Sequence, residues 1–300
     1  MKKIVITILA ITALALVFFA LKNIPAKNSV QTDKLQVVTS FYPLYFFASE
    51  IGGDKTQIFN LTPAGAEPHD YEPTGRDIAR VENSKLLVLN GGLEAWADNL
   101  KQNLSSNTFV VTAGENLFKK SADQNSFDPH IWLSPQLAGK MVDKIKEGFI
   151  QVNPENEDYY QNNADVLKSK LTELDKKFQE GLKDCSEKNI ITSHSAFGYL
   201  ASDYDLNEVS ITGLSPDAEP SPRQLAEVAE FAKINKVKYI FFESLVSPKL
   251  SQTIAQEIGA DTLVFNPLEG LTEEEINQGK NYFTEMENNL TNLKIALRCQ

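Results

Sequence analysis

Apolar and polar positions follow two different periods along this chain, and the switches between them outline an architecture. Short runs rich in Val, Ile and Leu stand at 35–40 (LQVVTS), 56–61 (TQIFNL) and 85–91 (KLLVLNG). Helical patterning fills the gaps, from Tyr42 to Ile51 and from Gly75 to Asn83. This β–α alternation predicts a parallel-sheet α/β domain. The second half repeats it, with strands predicted at 189–193 (NIITS), 208–212 (EVSIT), 238–242 (KYIFF) and 262–265 (TLVF). Helices are predicted there over 222–234 and 248–258.

One long segment, Pro154 to Cys185, separates the halves. Its apolar or small residues fall at Tyr160, Ala164, Leu167, Leu171, Leu174, Phe178 and Leu182. Steps of three and four define one face of a helix. Pro154 suits the first turn, Glu155 and Glu157 suit the positive end of the helix dipole, and Gly181 comes only near the finish. About 28 helical residues span roughly 40 Å. With βα material on both sides, the segment reads as a rigid strut between two lobes; an ordinary surface helix is the plainer alternative.

The two halves also resemble each other. VVTSFYPLYFFASEI (37–51) aligns without a gap on IITSHSAFGYLASDY (190–204), and PAGAEP (63–68) is similar to SPDAEP (215–220). A repeat implies two similar α/β lobes, with a ligand cleft at the carboxyl ends of their strands.

The ends and the charge add context. A net charge of −11 argues against the basic footprint of a nucleic-acid binder. Lys2 and Lys3 precede an uncharged run from Ile4 to Leu21, which reads as an export signal or an uncleaved membrane anchor. Cysteine is absent near its end, so a lipid-modified cysteine is not expected. The expected organisation is signal or anchor plus polar tether over 1–34, a first lobe over 35–153, the linking helix over 154–185, and a second lobe over 186–300. The body then lies outside the cytoplasm. There Cys185 and Cys299 can form a disulfide, two free thiols being the alternative.

The chain has three histidines, and each stands at a strand end or in a loop before a helix. His69 lies in AEPHDYEP, His130 in DPHIWLSP, and His194 ends NIITSH. A lone histidine is usually a surface or core residue; three in the same kind of position are not lone. Pro68 and Pro129 restrict the backbone before two of them. Neutral imidazole is the commonest metal ligand. Glu269 in NPLEG has the same topology, after TLVF and before a helix starting near Thr272. Three nitrogens and one carboxylate form a tetrahedral set suited to Zn²⁺. Alternatively Glu269 caps that helix, or water completes the site. Glu243 in FFESL is a second candidate, with an outer or structural role expected. Asp70 and Glu72 beside His69 read as turn or capping acids.

At these motifs the chain resembles the zinc- and manganese-binding solute-binding proteins of ABC transporters, the cluster A-I type (solute-binding protein family 9). VVTSFYPLYFFASEIGGD, PAGAEPHDYEPTGRDI, DPHIWLSP, TSHSAFGYL and EGLT follow in that family's order over about residues 35–298. The resemblance implies two α/β lobes on one backbone helix with a metal cleft between them. It implies His69, His130 and His194 as ligands. Many members place an aspartate where this chain has Asn266; a zinc-binding subgroup uses the glutamate of EGLT, here Glu269. Manganese-selective members tend to replace the third histidine with a carboxylate, and His194 is retained, so Zn²⁺ is the expected cargo with Mn²⁺ as the alternative. A departure is the lack of a His-rich acidic loop before His130, where GENLFKKSADQNSF stands. The implied partner is an ABC permease in the cytoplasmic membrane, with a monomeric binding protein. Cell adhesion is attached to some members.

A secreted zinc hydrolase is the reading from another class. HExxH and HxH are both absent. Ser193 and Ser195 in TSHSAFG lack a GxSxG frame and read as a strand-end turn. No catalytic residue and no enzymatic activity are expected.

Overall fold

The computed structural model describes residues 34–119 and 127–300. The expected signal or anchor and nearly all of its tether lie outside those residues. Among the described residues, no helix is long and apolar enough to cross a membrane. Leu35–Gln300 forms one compact unit.

Two four-stranded parallel sheets organise it. The first contains β1 (Leu35–Thr39), β2 (Thr56–Asn60), β3 (Leu86–Leu89) and β4 (Phe109–Thr112), in the order β2-β1-β3-β4. The second contains β5 (Asn189–Thr192), β6 (Asn207–Ser210), β7 (Tyr239–Phe242) and β8 (Asp261–Val264), in the order β6-β5-β7-β8. The orders are the same once the numbers are shifted by four, so the internal repeat is structural. Corresponding pairs are Val38 with Phe59 and Ile191 with Val209. In each sheet the winding reverses beside the first strand, which opens a crevice at the carboxyl ends. All four residues of β3 are buried, as an interior parallel strand requires. The sequence reading missed β4: it is a four-residue edge strand whose Phe109 is exposed.

Lobe one carries α1 (Tyr42–Gly52), α2 (Gly75–Glu82), α3 (Ala97–Asn103) and α4 (Pro135–Val152). The linking helix is α5 (Glu157–Leu182), preceded by a 3-10 turn at Pro154–Asn156. Its 26 residues make it roughly 39 Å long. The seven positions expected on its inner face are the seven that are buried. Lobe two carries α6 (Gly198–Asp203), α7 (Pro222–Ile234), α8 (Lys249–Ile258), α9 (Glu273–Asn277) and α10 (Tyr282–Leu297). Both α4 and α10 pack on α5. Phe149 meets Tyr160 at 5.0 Å near its start, and Phe178 stacks on Tyr204 at 5.1 Å near its end. One apolar core therefore runs through both lobes around the strut. Fully burying each large side chain contributes about 1.5–3 kcal/mol, so the strut is a core element rather than a surface spacer.

Local chemistry sets the helix starts. Thr74 and Asp77 form a capping box on α2, Ser221 and Gln224 on α7, and Thr272 and Glu275 on α9. The capping acid near His69 is thus Asp77, not Asp70 or Glu72. Cys185 and Cys299 are joined as a disulfide, which ties the chain just after α5 to the chain just after α10.

Candidate metal centre

Each of the four candidate residues is delivered by a short turn at the carboxyl end of a strand or in the loop beyond it. The backbone of each turn is fixed by named hydrogen bonds. His194 stands two residues after the end of β5. Its carbonyl accepts the Thr192 hydroxyl at 2.9 Å, and the next amide, of Ser195, donates to Gly213 at 2.8 Å. Ser193 donates its hydroxyl to the Phe241 carbonyl, a strand-end role. His130 follows Pro129, whose carbonyl accepts from the Asn90 amide group at 3.0 Å. Asn90 is held in turn by Glu94, which accepts its N–H at 2.7 Å. His69 lies in the loop between β2 and α2, where the Glu67 carboxylate accepts its backbone N–H at 3.2 Å.

Glu269 needs the most support. Asn266 accepts the Leu268 N–H at 2.8 Å through Oδ1 and donates through Nδ2 to Ser244. Asn289 on α10 grips the Asn266 backbone from both sides, accepting its N–H at 2.8 Å and donating to its carbonyl at 2.7 Å. Leu268 then takes a left-handed conformation, φ 55°. That costs a non-glycine residue about 1–2 kcal/mol. Asn266 thus shapes the turn and spends its side chain on the backbone, while Glu269 points at the histidines.

The four side chains meet, with one candidate ligand atom from each lying within 4.8 Å of all the others. Glu269 Oε1 is 3.1 Å from His69 Nε2, 3.2 Å from His130 Nε2 and 3.3 Å from His194 Nε2. His130 Nε2 is 3.3 Å from both His69 Nε2 and His194 Nε2. Five of the six edges of this set are 3.1–3.3 Å, close to the roughly 3.3 Å between donors of a regular tetrahedron with the 2.0–2.1 Å bonds of Zn–N, and the sixth, between His69 and His194, lies within 4.8 Å. Glu269 Oε2 is buried and takes no hydrogen bond among the described residues. A buried unpartnered carboxylate oxygen beside three converging imidazoles fits a bound cation.

Two imidazoles are also held from behind. His130 Nδ1 is 2.7 Å from Asp128 Oδ1, and His194 Nδ1 is 2.7 Å from Glu243 Oε1. Such carboxylates orient a ligand ring and raise its basicity. Glu243 stands behind His194, as the sequence reading allowed. Asp128 is not among the residues expected from the sequence, although its place two residues before His130 in DPH is an available signal. The replacement of Asp128 by Asn, or of Glu243 by Gln, is expected to weaken Zn²⁺ binding about 10–100-fold without unfolding the protein. Competition against a chelator of known affinity measures this, and unchanged affinity in both variants would remove the orienting role.

Charge at the centre is strongly coupled. Burial alone disfavours the imidazolium of His130, but the hydrogen bonds it donates to Asp128 and Glu269 outweigh that and raise its pKa. Burial acts the same way on His194, and the charges of Glu269 and Glu243 push it well above the ordinary histidine value. Glu269 is held well below the ordinary carboxylate range: burial would raise it, and the charge of His194 with hydrogen bonds from the imidazoles wins. Nearby Glu67 is pushed up to about 8 by burial and by the charge of Glu269. Asp70 faces Asp217 of the other lobe, which raises the Asp217 carboxyl.

Comparison with known proteins places these observations. Residues 37–296 match the family described as zinc-uptake complex component A, periplasmic. The zinc-binding lipoprotein AdcA of Streptococcus pneumoniae is 39% identical over 311 residues, covering 98% of this chain and 61% of that protein. The chain thus spans about three fifths of the length of the curated streptococcal relatives it matches. The high-affinity zinc uptake system protein ZnuA of Bacillus subtilis is 40% identical, with 96% of each chain covered. Among solved structures, the Zn(II)-bound ZnuA-like domain of Streptococcus pneumoniae AdcA superposes with a TM-score of 0.79 at 41% identity, over 88% of this chain and 99% of that one.

Proposed function

The chain belongs to the family of periplasmic zinc-uptake complex A components, and from that membership and the cage together we propose that it captures Zn²⁺ outside the cytoplasm and delivers it to an ABC-type permease in the cytoplasmic membrane. The observation that carries the proposal is the closed set of donors: His69, His130, His194 and Glu269 converge from both lobes at a spacing suited to a small tetrahedral ion. Harder Mn²⁺ prefers more oxygen ligands and higher coordination, so three imidazoles and one carboxylate favour Zn²⁺. The protein is a carrier and not an enzyme. A catalytic zinc keeps a position open for water, whereas four protein ligands close the site. The Cys185–Cys299 disulfide fits an oxidising compartment.

In this reading His69 and His130 come from lobe one and His194 and Glu269 from lobe two, so the ion bridges the lobes. The buried strut restrains wide hinging, and release proceeds by lobe and loop slippage. Protons compete with the ion. The folded pKa values of His130 and His194 are raised by carboxylates, so in the metal-free protein they hold protons that stabilise the fold at low pH. That contribution is lost as pH rises through the raised values. Zinc acts with the opposite sign: its binding expels those protons, so affinity falls as pH falls through the same range.

Equilibrium titration tests the function. One Zn²⁺ per chain is expected to bind with proton release, to outcompete Mn²⁺, and to give a smaller rise in Tm as pH falls from about 8 to about 5. Affinity unaffected by His69→Ala, His130→Ala and His194→Ala together overturns the assignment. Turnover of an ester or amide by the zinc-loaded protein overturns the carrier reading in favour of a hydrolase.

A further inference from the structure

His130 belongs to lobe one and His194 to lobe two, yet their Nε2 atoms lie 3.3 Å apart. No strand pairing crosses between the two sheets among the described residues, so something else must hold that spacing. Helix α6 starts four residues after His194 and touches lobe one at both of its ends. At its start, the Tyr199 hydroxyl donates to the Asp128 carbonyl at 2.8 Å and accepts the Lys119 N–H at 2.7 Å. At its end, the Asp203 carboxylate accepts the Ser134 hydroxyl at 2.5 Å.

These contacts frame His130 in sequence, with Asp128 two residues before it and Ser134 four after. Tyr199 is 2% exposed and Ser134 is fully buried, so neither bond is exchanged readily for water. Gly198 lets the helix come this close: a Cβ there would lie 3.1 Å from Asp128 Oδ2, the oxygen next to the one that holds His130. On the lobe-two side, Glu208 accepts the Thr192 hydroxyl at 2.9 Å and the Phe197 N–H at 3.1 Å, one on each side of His194. A continuous set of short contacts thus links one histidine to the other.

We propose that Tyr199, Ser134 and Asp203 are positioning residues, and that α6 is a two-point bracket that keeps His130 and His194 at metal-binding separation. The inference rests on the zinc reading above and adds to it a specific barrier to release. Zinc release then requires the lobe-crossing bonds of α6 to break, beside those that Trp132 makes with Pro267 and Tyr282, before one histidine moves away from the other.

The test is the rate of Zn²⁺ release from the full chain into excess chelator. Tyr199→Phe removes both bonds at the helix start, and Ser134→Ala removes the one at its end together with the cap that the Ser134 hydroxyl gives α4. Each is expected to speed release about tenfold, the scale of one or two lost buried hydrogen bonds. Tyr204→Phe is the control. Tyr204 caps the end of α6, but its hydroxyl bond runs to Asp175 on α5 at 2.8 Å, so the variant loses a bond of the same kind while the Tyr199 and Ser134 bonds across the lobes stay in place. Release faster in Tyr199→Phe and Ser134→Ala but not in Tyr204→Phe supports positioning, whereas equal acceleration in all three means general loosening and overturns it. Release at the wild-type rate in Ser134→Ala overturns it as well, including where Tyr199→Phe does not fold. A wild-type protein that retains no Zn²⁺ overturns the zinc reading and this inference with it. Unchanged rates in variants of a zinc-retaining wild type overturn this inference alone.

Discussion

Replacement of Glu269 by Gln is expected to lower the Zn²⁺ affinity by about two to three orders of magnitude, the equivalent of a quarter of the roughly 10–16 kcal/mol typical of a four-ligand zinc site. The substitution keeps the shape of the side chain and removes its charge. Three effects combine. A neutral amide is a poor ligand for the ion. The cage loses the anion that offsets a divalent cation in a fully buried place. The imidazoles also lose their shared partner, since Glu269 Oε1 lies 3.1–3.3 Å from all three Nε2 atoms. One effect works the other way. Without Glu269 the pKa values of His130 and His194 fall, so fewer protons must leave when zinc binds. That term is smaller than the loss of a charged ligand. The comparison with Glu243→Gln decides between ligand and support. Glu243 touches Nδ1 of His194, on the far side of the ring from the cage, and its loss is expected to cost only the 10–100-fold of an orienting carboxylate. Chelator competition at fixed pH measures both. A larger loss for Glu243→Gln than for Glu269→Gln exchanges their roles.

The second large effect concerns the fold and leaves the site alone. Reduction of the disulfide, or Cys185→Ser with Cys299→Ser, is expected to destabilise the protein substantially. The bridge closes 114 residues of chain, and the loop-entropy account gives about 4–5 kcal/mol for a loop near that length. For a domain of this size that is a fall in Tm of about 10 °C. Cys185 precedes β5 and His194 follows it, so the sheet separates the bridge from the cage. Zinc affinity should therefore stay near wild type while the melting temperature drops. Thermal melts with and without reductant, paired with zinc titration, check both halves. A fall in Tm under about 2 °C, or a parallel loss of affinity, contradicts the expectation.

Much of the architecture is legible along the chain because its determinants are local. The inner face of α5 follows from the spacing Tyr160, Ala164, Leu167, Leu171, Leu174, Phe178, Leu182, whatever packs on it. The start of α7 is written in Ser221, Pro222 and Gln224. Seven of the eight strands among the described residues are visible as apolar runs; β4 is the exception, since a four-residue edge strand with an exposed Phe109 carries little signal. The paired halves, aligned at 37–51 and 190–204, anticipate two sheets with one strand order.

The sequence by itself determined which side chains were available for a metal: three histidines at strand ends or in loops before helices, and Glu269 in an equivalent place. Only the tertiary structure decided that residues 200 positions apart, His69 and Glu269, stand within 3.1 Å. It also decided that Cys185 and Cys299 pair, that Asp128 stands behind His130, and that Asn289 on α10 holds the turn before Glu269. The physical reason is the range of the interactions. Periodicity and capping act over one or two helical turns and leave their mark in neighbouring residues. The meeting of distant side chains depends on how two lobes pack around a shared core, and that packing is spread over the whole chain.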